Sequence, residues 1–333
     1  MRPDLLALLI ALAMPAGIPV QTNRSGPYPP LGRLVDIGGR TLHIHCSGQG
    51  TPTVILVAGG GAFALDWALV QPKIADTTRV CSYDRAGLGW SDSGPAEETV
   101  EETVDDLHRL LKSAGEKEPY LLVGASIGGI FIRAYQHAFP NEVAGLIFSN
   151  SSHHVGMKVK EKVGLIWDLS EDELRSVYPL PASSKEAAPT REGEPFDRLP
   201  PDLRAMRLWL DVRVWEKWDP AKAGPESILS WRKEFLREFD EMNAGPNPPL
   251  HDLPVIVLSS DERPSDPNRR RDRTDAGIAL DLLSANALYI TATGSGHEIH
   301  LYQPDRVVQA IERAVMAVRN SIPLSRTPEQ AAP

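Results

Sequence analysis

A dense basic surface is absent from this sequence. The chain has 35 Lys and Arg residues against 44 Asp and Glu, which gives a formal net charge of −9 at pH 7. Its one basic cluster, RPSDPNRRRDR, is interrupted by Asp and Pro, a pattern that favours a solvated loop. We therefore expect neither nucleic acid nor an anionic membrane surface to be a main partner.

The chain also lacks an obvious membrane span, which would need about 20 consecutive apolar residues. Near the N-terminus, Arg2 precedes a shorter apolar run that begins at Leu5 and is interrupted by Pro15. This arrangement is typical of a secretory signal, so residues 1–22 predict export to the periplasm or medium. An uncleaved N-terminal anchor, which would bring membrane contact, and a buried core helix are the alternatives.

Ligand patterns for a metal ion are missing too. His153 and His154 are adjacent, but no Cys, Asp or Glu stands beside them at the spacing of a metal site. Only two cysteines occur, Cys46 and Cys81. Export would place them in an oxidising compartment, and two buried free thiols are the alternative.

What the sequence does contain is an alternation of apolar runs and helix-like segments. Hydrophobic residues make up 42% of the chain and charged residues 24%, so a large core can be buried. Runs such as TVILVAGGG and VAGLIFSN are continuous rather than alternating, as in strands buried on both faces of a parallel sheet. We predict an α/β fold with a mostly parallel central sheet and helices on both faces.

The alternation breaks in one long region, where tryptophans and Pro-rich joints accompany charged helical stretches. We interpret residues 151–250 as an inserted helical cap. The α/β core then consists of residues 30–150 and 251–322. A tail over residues 323–333 is expected to be disordered.

A serine occupies the turn of GASIG, between the apolar run YLLVG and the helix-like GGIFIRAYQHAF. The pattern is that of a G-x-S-x-G nucleophile elbow, which lifts Ser126 out of the sheet above a helix N-terminus. Gly124 and Gly128 are needed because the strand and helix approach too closely for side chains. A plain tight turn is the alternative.

A serine hydroxyl needs a base to take its proton. His297 lies in the loop GSGHEIH, after the last predicted strand and before the terminal helix, from where it can reach the serine. His300 follows three residues later, and its side chain is expected to point elsewhere if a helix begins near it. We therefore predict that His297 is the base.

Taken together, VAGGGAFALDW, RVCSYDRAGLGWSD, LLVGASIGGIFIRAYQHAFPNEVAGLIF and GSGHEIHLYQPDRV resemble the α/β-hydrolase superfamily, in the usual order. The resemblance implies a serine esterase-like or lipase-like core, with a cap after the sixth strand. Carried over by position, the oxyanion hole comprises the backbone N–H groups of Ile127 and Gly60. Asp84 and Arg85 are expected to stabilise the neighbouring loop rather than to react.

The acid of a triad should follow one of two strands. Asp261 ends LPVIVLSSD and is our choice, whereas Asn150 ends VAGLIFSN where relatives carry a carboxylate. Asn150 can orient His297 but cannot offset its positive charge. Glu262, Asp266 and Asp275 stay open as alternatives.

The function predicted is hydrolysis of a small-molecule carboxylic ester through an acyl-enzyme, with no cofactor or metal. A lactonase, amidase or perhydrolase would use the same triad, and a non-catalytic ligand-binding protein of this fold is a further alternative. The elbow serine counts against dehalogenases and epoxide hydrolases of similar fold, which use a carboxylate there. The oligomeric state is not predicted.

One further expectation depends on the resemblance. In the sheet order that it implies, the strands of Cys46 and Cys81 are neighbours. A disulfide needs Cα atoms within about 7 Å, a condition that adjacent strands can meet. We therefore consider a Cys46–Cys81 disulfide possible in an exported protein, with out-of-register free thiols as the alternative.

Overall fold

The computed structural model describes residues 26–94, 99–151, 193–217, 250–260 and 283–324, with the single positions 233 and 237. The predicted leader (residues 1–22), most of the predicted cap and nearly all of the tail lie outside the described residues. Export and the division into core and cap therefore stay predictions. None of the helices in the described ranges combines the length and apolar character that crossing a membrane requires.

Eight strands form one mixed sheet in the order β1-β2-β4-β3-β5-β6-β7-β8. The first two pairings, β1 with β2 and β2 with β4, are antiparallel, and all later pairings are parallel. The strands are β1 (Arg33–Asp36), β2 (Thr41–Ser47), β3 (Thr53–Val57), β4 (Val80–Tyr83), β5 (Tyr120–Ala125), β6 (Val143–Ser149), β7 (Val255–Ser260) and β8 (Ala287–Ala292).

Helices cover both faces of this sheet. Residues of α2 and α3 pack in one apolar cluster, and residues of α1 and α6 pack in a second cluster across the sheet. The α-helices with described bounds are α1 (Gln71–Ala75), α2 (Val100–Ala114), α3 (Gly128–Ala138), α4 (Pro201–Lys217), α5 (Ile299–Tyr302) and α6 (Pro304–Asn320). Short 3₁₀ turns cover Ala64–Trp67, Pro140–Glu142 and Phe196–Arg198. The layers predicted from the apolar runs are therefore present.

The local sequence explains where these elements begin and end. All five residues of β3 are buried, as expected for a continuous apolar run in the middle of a parallel sheet. Helix α2 begins with a capping box. The Thr99 side chain accepts from the Glu102 N–H at 3.0 Å, and the Glu102 carboxylate accepts from the Thr99 N–H. It ends at Gly115, whose left-handed backbone suits a helix C-cap.

The described part of the predicted cap packs on the core beside the carboxyl ends of the strands. Leu210 of α4 and Phe196 form an apolar cluster with Phe63 and Trp90 of the core loops. The Trp209 ring lies 5.8 Å from the ring of Tyr28 in an edge-on arrangement. These contacts place the cap segment over the loops that follow β3 and β4.

The two cysteines face each other across the antiparallel pair of β2 and β4. Cys46 and Cys81 are register partners with Cα atoms 4.1 Å apart, and the structure joins them in a disulfide. The bond ties β2, which continues the N-terminal hairpin, to β4. The loop after β4 therefore starts from a strand that is covalently joined to its neighbour.

Candidate active site

Ser126 occupies a strained corner between β5 and α3. Its φ is +51°, in the left-handed region that residues with a Cβ rarely adopt. A Cβ added to Gly124 would lie 2.5 Å from the Gly128 carbonyl carbon, and one added to Gly128 would lie 2.5 Å from the Val57 oxygen. Only glycine fits at these two positions, so the close approach predicted from the GASIG turn is present.

The serine opens into a small cavity that also receives the predicted base. The cavity has a volume of about 50 Å³ and brings Ser126, His297 and Gly60 together. Ile127 borders this region, because its Cγ2 lies 3.9 Å from where a Cβ of Gly60 would be. The described residues that line the cavity are Gly59, Gly60, Ala62, Asp66, Ala125, Ser126, Phe196, His297, Glu298 and His300.

His297 is held by Asn150, which follows β6. The Asn150 Nδ2 lies 3.0 Å from His297 Nδ1 and donates to the His297 carbonyl oxygen at 3.1 Å. The Asn150 Oδ1 accepts from the Ser260 N–H at 3.4 Å. These two backbone partners fix the amide orientation, because a carbonyl only accepts and an N–H only donates. Asn150 therefore presents a donor to the imidazole Nδ1.

The preferred acid, Asp261, lies outside the described residues, as do the alternatives Glu262, Asp266 and Asp275. Asp261 directly follows Ser260, the last residue of β7. Strand β7 is the parallel neighbour of β6, and Ser260 already contacts Asn150. The last residue of β7 therefore lies beside Asn150, the residue that contacts His297.

His300 differs from the expectation that its side chain would point away from the site. Helix α5 does begin at Ile299, but His300 lies in the wall of the same cavity as His297. Its ring packs on Trp67 with the ring centroids 4.6 Å apart. A one-turn helix after the loop returns the side chain toward the cavity, which the spacing of the two histidines did not reveal.

Burial lowers the pKa of His300 to about 4, and the nearby Asp66 carboxylate only partly opposes this shift. Folding therefore favours the neutral ring, whereas the unfolded chain takes up a proton below its ordinary pKa of 6.5. Above about pH 6.5 this preference costs no stability. Below pH 6.5 the free energy of unfolding decreases as the pH falls toward 4.

We expect this group to reduce the free energy of unfolding by about 2 kcal/mol between pH 7 and pH 5. Urea titrations at pH 7, 6 and 5 measure how steeply the free energy of unfolding changes with pH. His300→Leu, which cannot be protonated, should show a shallower slope than the unsubstituted protein. Equal slopes in the two proteins would contradict the assignment of this pH dependence to His300.

Sequence reasoning missed an ion pair that joins the cap to the cavity. Asp66 is buried in the cavity wall, and its Oδ1 accepts from Nε of the buried Arg207 on α4 at 2.7 Å. The Arg207 guanidinium also lies over the Phe196 ring, 4.0 Å from its centroid. Asp66 stands within the quoted GAFALDW stretch, but its partner is 141 positions away.

The loop after β4 supports the loop after β3, as expected for Asp84. The buried Asp84 carboxylate accepts from the Ala64 N–H at 2.8 Å and the Trp90 N–H at 3.1 Å. His43 Nδ1 lies 2.9 Å from the same carboxylate. Asp84 therefore stabilises the two loops, and it is not among the residues lining the cavity.

Within the described ranges, one group of Cys, His and acidic residues has the spacing of a metal site: Cys46, Cys81 and Glu116. Both of its sulfurs are in the disulfide. His153 and His154 lie outside the described residues.

Comparisons with known proteins agree with this architecture. The model of the alpha/beta hydrolase family matches residues 54–310. Solved structures that cover most of the chain include the following two. The candidate lipase lip1 from Acinetobacter baumannii AYE covers 87% of this chain and 92% of its own at 15% identity and a TM-score of 0.62. A thermophilic esterase from Thermogutta terrifontis covers 84% and 94% at 22% identity and a TM-score of 0.55.

Among curated proteins, a probable transporter, efuK, from Hormonema carpetanum is 35% identical over 127 residues, which is 36% of this chain. The match spans only 18% of that relative, and two Bacillus subtilis relatives are likewise covered over less than half of their length. The family match, in contrast, extends from β3 to α6 and includes the elbow and His297. The chain therefore belongs to the α/β-hydrolase family.

Proposed function

We propose that this hydrolase cleaves carboxylic esters through an acyl-enzyme formed on Ser126. The observation that carries the proposal is the shared cavity, which is lined by an elbow serine at φ +51°, by His297 and by the glycine loop. The strained turn between strand and helix exposes the serine hydroxyl above the sheet, where it can attack a substrate. A small organic ester is the substrate class.

The reaction would begin with attack of Ser126 Oγ on the ester carbonyl carbon, while His297 takes the hydroxyl proton. The carbonyl oxygen becomes an anion, which the N–H groups of Ile127 and Gly60 would stabilise. His297 then returns the proton to the leaving alcohol. Water attacks the acyl-enzyme by the same route and releases the carboxylic acid.

The orientation of Asn150 supports a carboxylate as the third member of the triad. A base that takes the serine proton through Nε2 needs its own proton on Nδ1, and therefore an acceptor beside Nδ1. Asn150 offers Nδ2 there, and its Oδ1 is turned to Ser260. Asp261, the next residue after Ser260, would supply the acceptor that Asn150 does not.

We expect Asp261→Asn to lower kcat by roughly 10³- to 10⁴-fold, because the imidazolium loses its countercharge and the tautomer is reversed. Asn150→Ala should lower kcat by less than about tenfold, since it removes only a neutral orienting contact. Steady-state kinetics on one ester compare the two variants. In the Asp261→Asn background, Asn150→Asp should restore part of the rate. A nearly silent Asp261→Asn would move the role to another group.

The cheapest test of the function is covalent labelling. The protein is mixed with a fluorophosphonate, and the mass is measured before and after. An adduct on wild type that is absent from Ser126→Ala is expected, and p-nitrophenyl esters of increasing chain length then define the acyl group. A protein that binds such esters but neither reacts nor turns them over would be a binding protein instead.

Processing of the leader is a separate part of the proposal. It is supported by the apolar run from Leu5 and by the disulfide, which an oxidising compartment would maintain. Fractionation of the producing cells, with mass spectrometry of the mature N-terminus, tests both export and cleavage.

A further inference from the structure

Arg85 is a buried cation whose hydrogen bonds go to backbone carbonyls beside the cavity. Only 7% of the residue is exposed. Its Nη1 donates to the Ala58 oxygen at 2.6 Å, and its Nη2 donates to the Gly59 oxygen at 2.8 Å. The guanidinium also lies over the Phe131 ring, 5.1 Å from its centroid. Among the ion pairs of the described residues, none involves Arg85.

Those two carbonyls belong to the loop that borders the nucleophile. Gly59 and Gly60 both line the cavity with Ser126. A Cβ on Gly59 would lie only 3.2 Å from the Ser126 Cβ, so this loop passes directly beside the serine. Arg85 therefore binds the same segment of the loop that passes beside Ser126.

Peptide geometry connects Arg85 to the proposed oxyanion hole. The carbonyl of Gly59 and the N–H of Gly60 belong to one planar trans peptide, so they point in opposite directions. Holding the Gly59 oxygen toward Arg85 therefore turns the Gly60 N–H away from Arg85. The second arm, on the Ala58 oxygen, fixes the preceding peptide in the same way.

This loop needs an external support because three consecutive glycines, Gly59, Gly60 and Gly61, have little backbone preference of their own. Asp84 holds the far end of the loop through the Ala64 N–H. Arg85 holds the near end. Neighbouring residues in the sequence thus fix both sides of the glycine segment.

We propose that Arg85 is a positioning residue for the oxyanion hole, which orients and polarises the peptide that carries the Gly60 N–H. The inference rests on the proposed function. The positive charge of Arg85 beside the Gly59 oxygen draws electron density toward that oxygen. The N–H of the same peptide then becomes a stronger donor. The rigid two-armed guanidinium suits two adjacent carbonyls, whereas an ammonium group lacks that fork.

The test uses Arg85→Gln, which removes the charge, and Arg85→Lys, which keeps the charge but loses the fork. Loss of an oxyanion donor lowers kcat by about 10²- to 10³-fold, so a misdirected donor should lower kcat roughly 30- to 100-fold in Arg85→Gln. The KM should stay within about threefold, because the interaction strengthens only as the anion forms. Arg85→Lys should lie between Arg85→Gln and wild type.

A second readout separates positioning from general damage to the fold. Each protein is assayed on an oxoester and on the matching thionoester, whose sulfur accepts hydrogen bonds weakly and gains little from a well-placed N–H. The preference for the oxoester should fall in Arg85→Gln by about the same factor as kcat. Affinity for a trifluoromethyl ketone, which forms the same type of anion, should fall in parallel.

Arg79→Gln is the matched control, because Arg79 binds Glu116 and the Gly48 oxygen and is not a lining residue of the cavity. It should lower the melting temperature while kcat and the oxoester preference stay unchanged.

Folded Arg85→Gln with wild-type kcat and oxoester preference would overturn the inference. If that variant does not fold, Arg85→Lys decides by the same two readouts. Absence of a fluorophosphonate adduct on wild type would instead reject the proposed function.

Discussion

Ser126→Ala is expected to lower kcat for ester cleavage by roughly 10⁶-fold while the fold stays intact. The substitution removes the only atom that forms the acyl bond, and loss of a triad serine has effects of about this size. Ser126 already has a Cβ at φ +51°, so replacing it with alanine adds no backbone strain. Single-turnover kinetics with a p-nitrophenyl ester, together with a thermal melt, measure both parts of the prediction.

The residual rate identifies what remains of the site. The donors of Ile127 and Gly60 and the binding cavity would persist, so catalysis of about 10³- to 10⁴-fold over water is expected in the variant. Ser82→Ala is a suitable control, because Ser82 is a buried serine on β4 that donates to Gln71 and does not line the cavity. It should change stability and leave kcat unaltered. Wild-type turnover by Ser126→Ala would refute the acyl-enzyme proposal.

The sheet, its flanking helices and the elbow could be predicted because their signals are local. A buried parallel strand appears as an uninterrupted apolar run, as in β3 and β5, and both run through the middle of the sheet. The elbow needs glycine on either side of one serine for a steric reason, and that reason is visible in the sequence itself. Both signals can therefore be recognised within a few residues of sequence.

The acid and the polar wall of the cavity depend on contacts between distant parts of the chain. Asn150 meets His297 across 147 positions, and Asp66 meets Arg207 across 141. Sequence reasoning could name the residues that follow β6 and β7, since neighbouring parallel strands end at the same edge of a sheet. It preferred Asp261 to Asn150 on charge alone and could not show which atom of the Asn150 amide faces the imidazole, because backbone partners such as Ser260 decide that orientation.

The location of His300 was missed for a related reason. Loop and helix propensities place α5 near Ile299, but they do not say how the helix axis is inclined to the sheet. The His300 ring packs on Trp67, which belongs to the 3₁₀ turn after β3, and no local pattern indicates this contact. Two histidines in one cavity therefore have to be distinguished by their surroundings rather than by their spacing.

These surroundings favour His297 as the base. His297 is exposed, so an imidazolium formed there stays hydrated, whereas His300 is buried and its Nδ1 has no hydrogen-bond partner among the described residues. Burial lowers the pKa of His300 to about 4, so it would be a weak base at neutral pH. A catalytic base must also become an imidazolium in each cycle, and burial penalises that charge at His300.

His297→Ala is accordingly expected to lower kcat by roughly 10⁵- to 10⁶-fold, as for loss of a triad histidine, with little change in stability because the residue is exposed. His300→Ala should keep kcat within about tenfold and lose stability instead, because it opens a cavity against Trp67. Since the His297 position is open to solvent, added imidazole should restore part of the rate of His297→Ala. Imidazole should leave the kcat of His300→Ala unchanged. A large loss of kcat in His300→Ala, with a nearly silent His297→Ala, would assign the base to the buried residue.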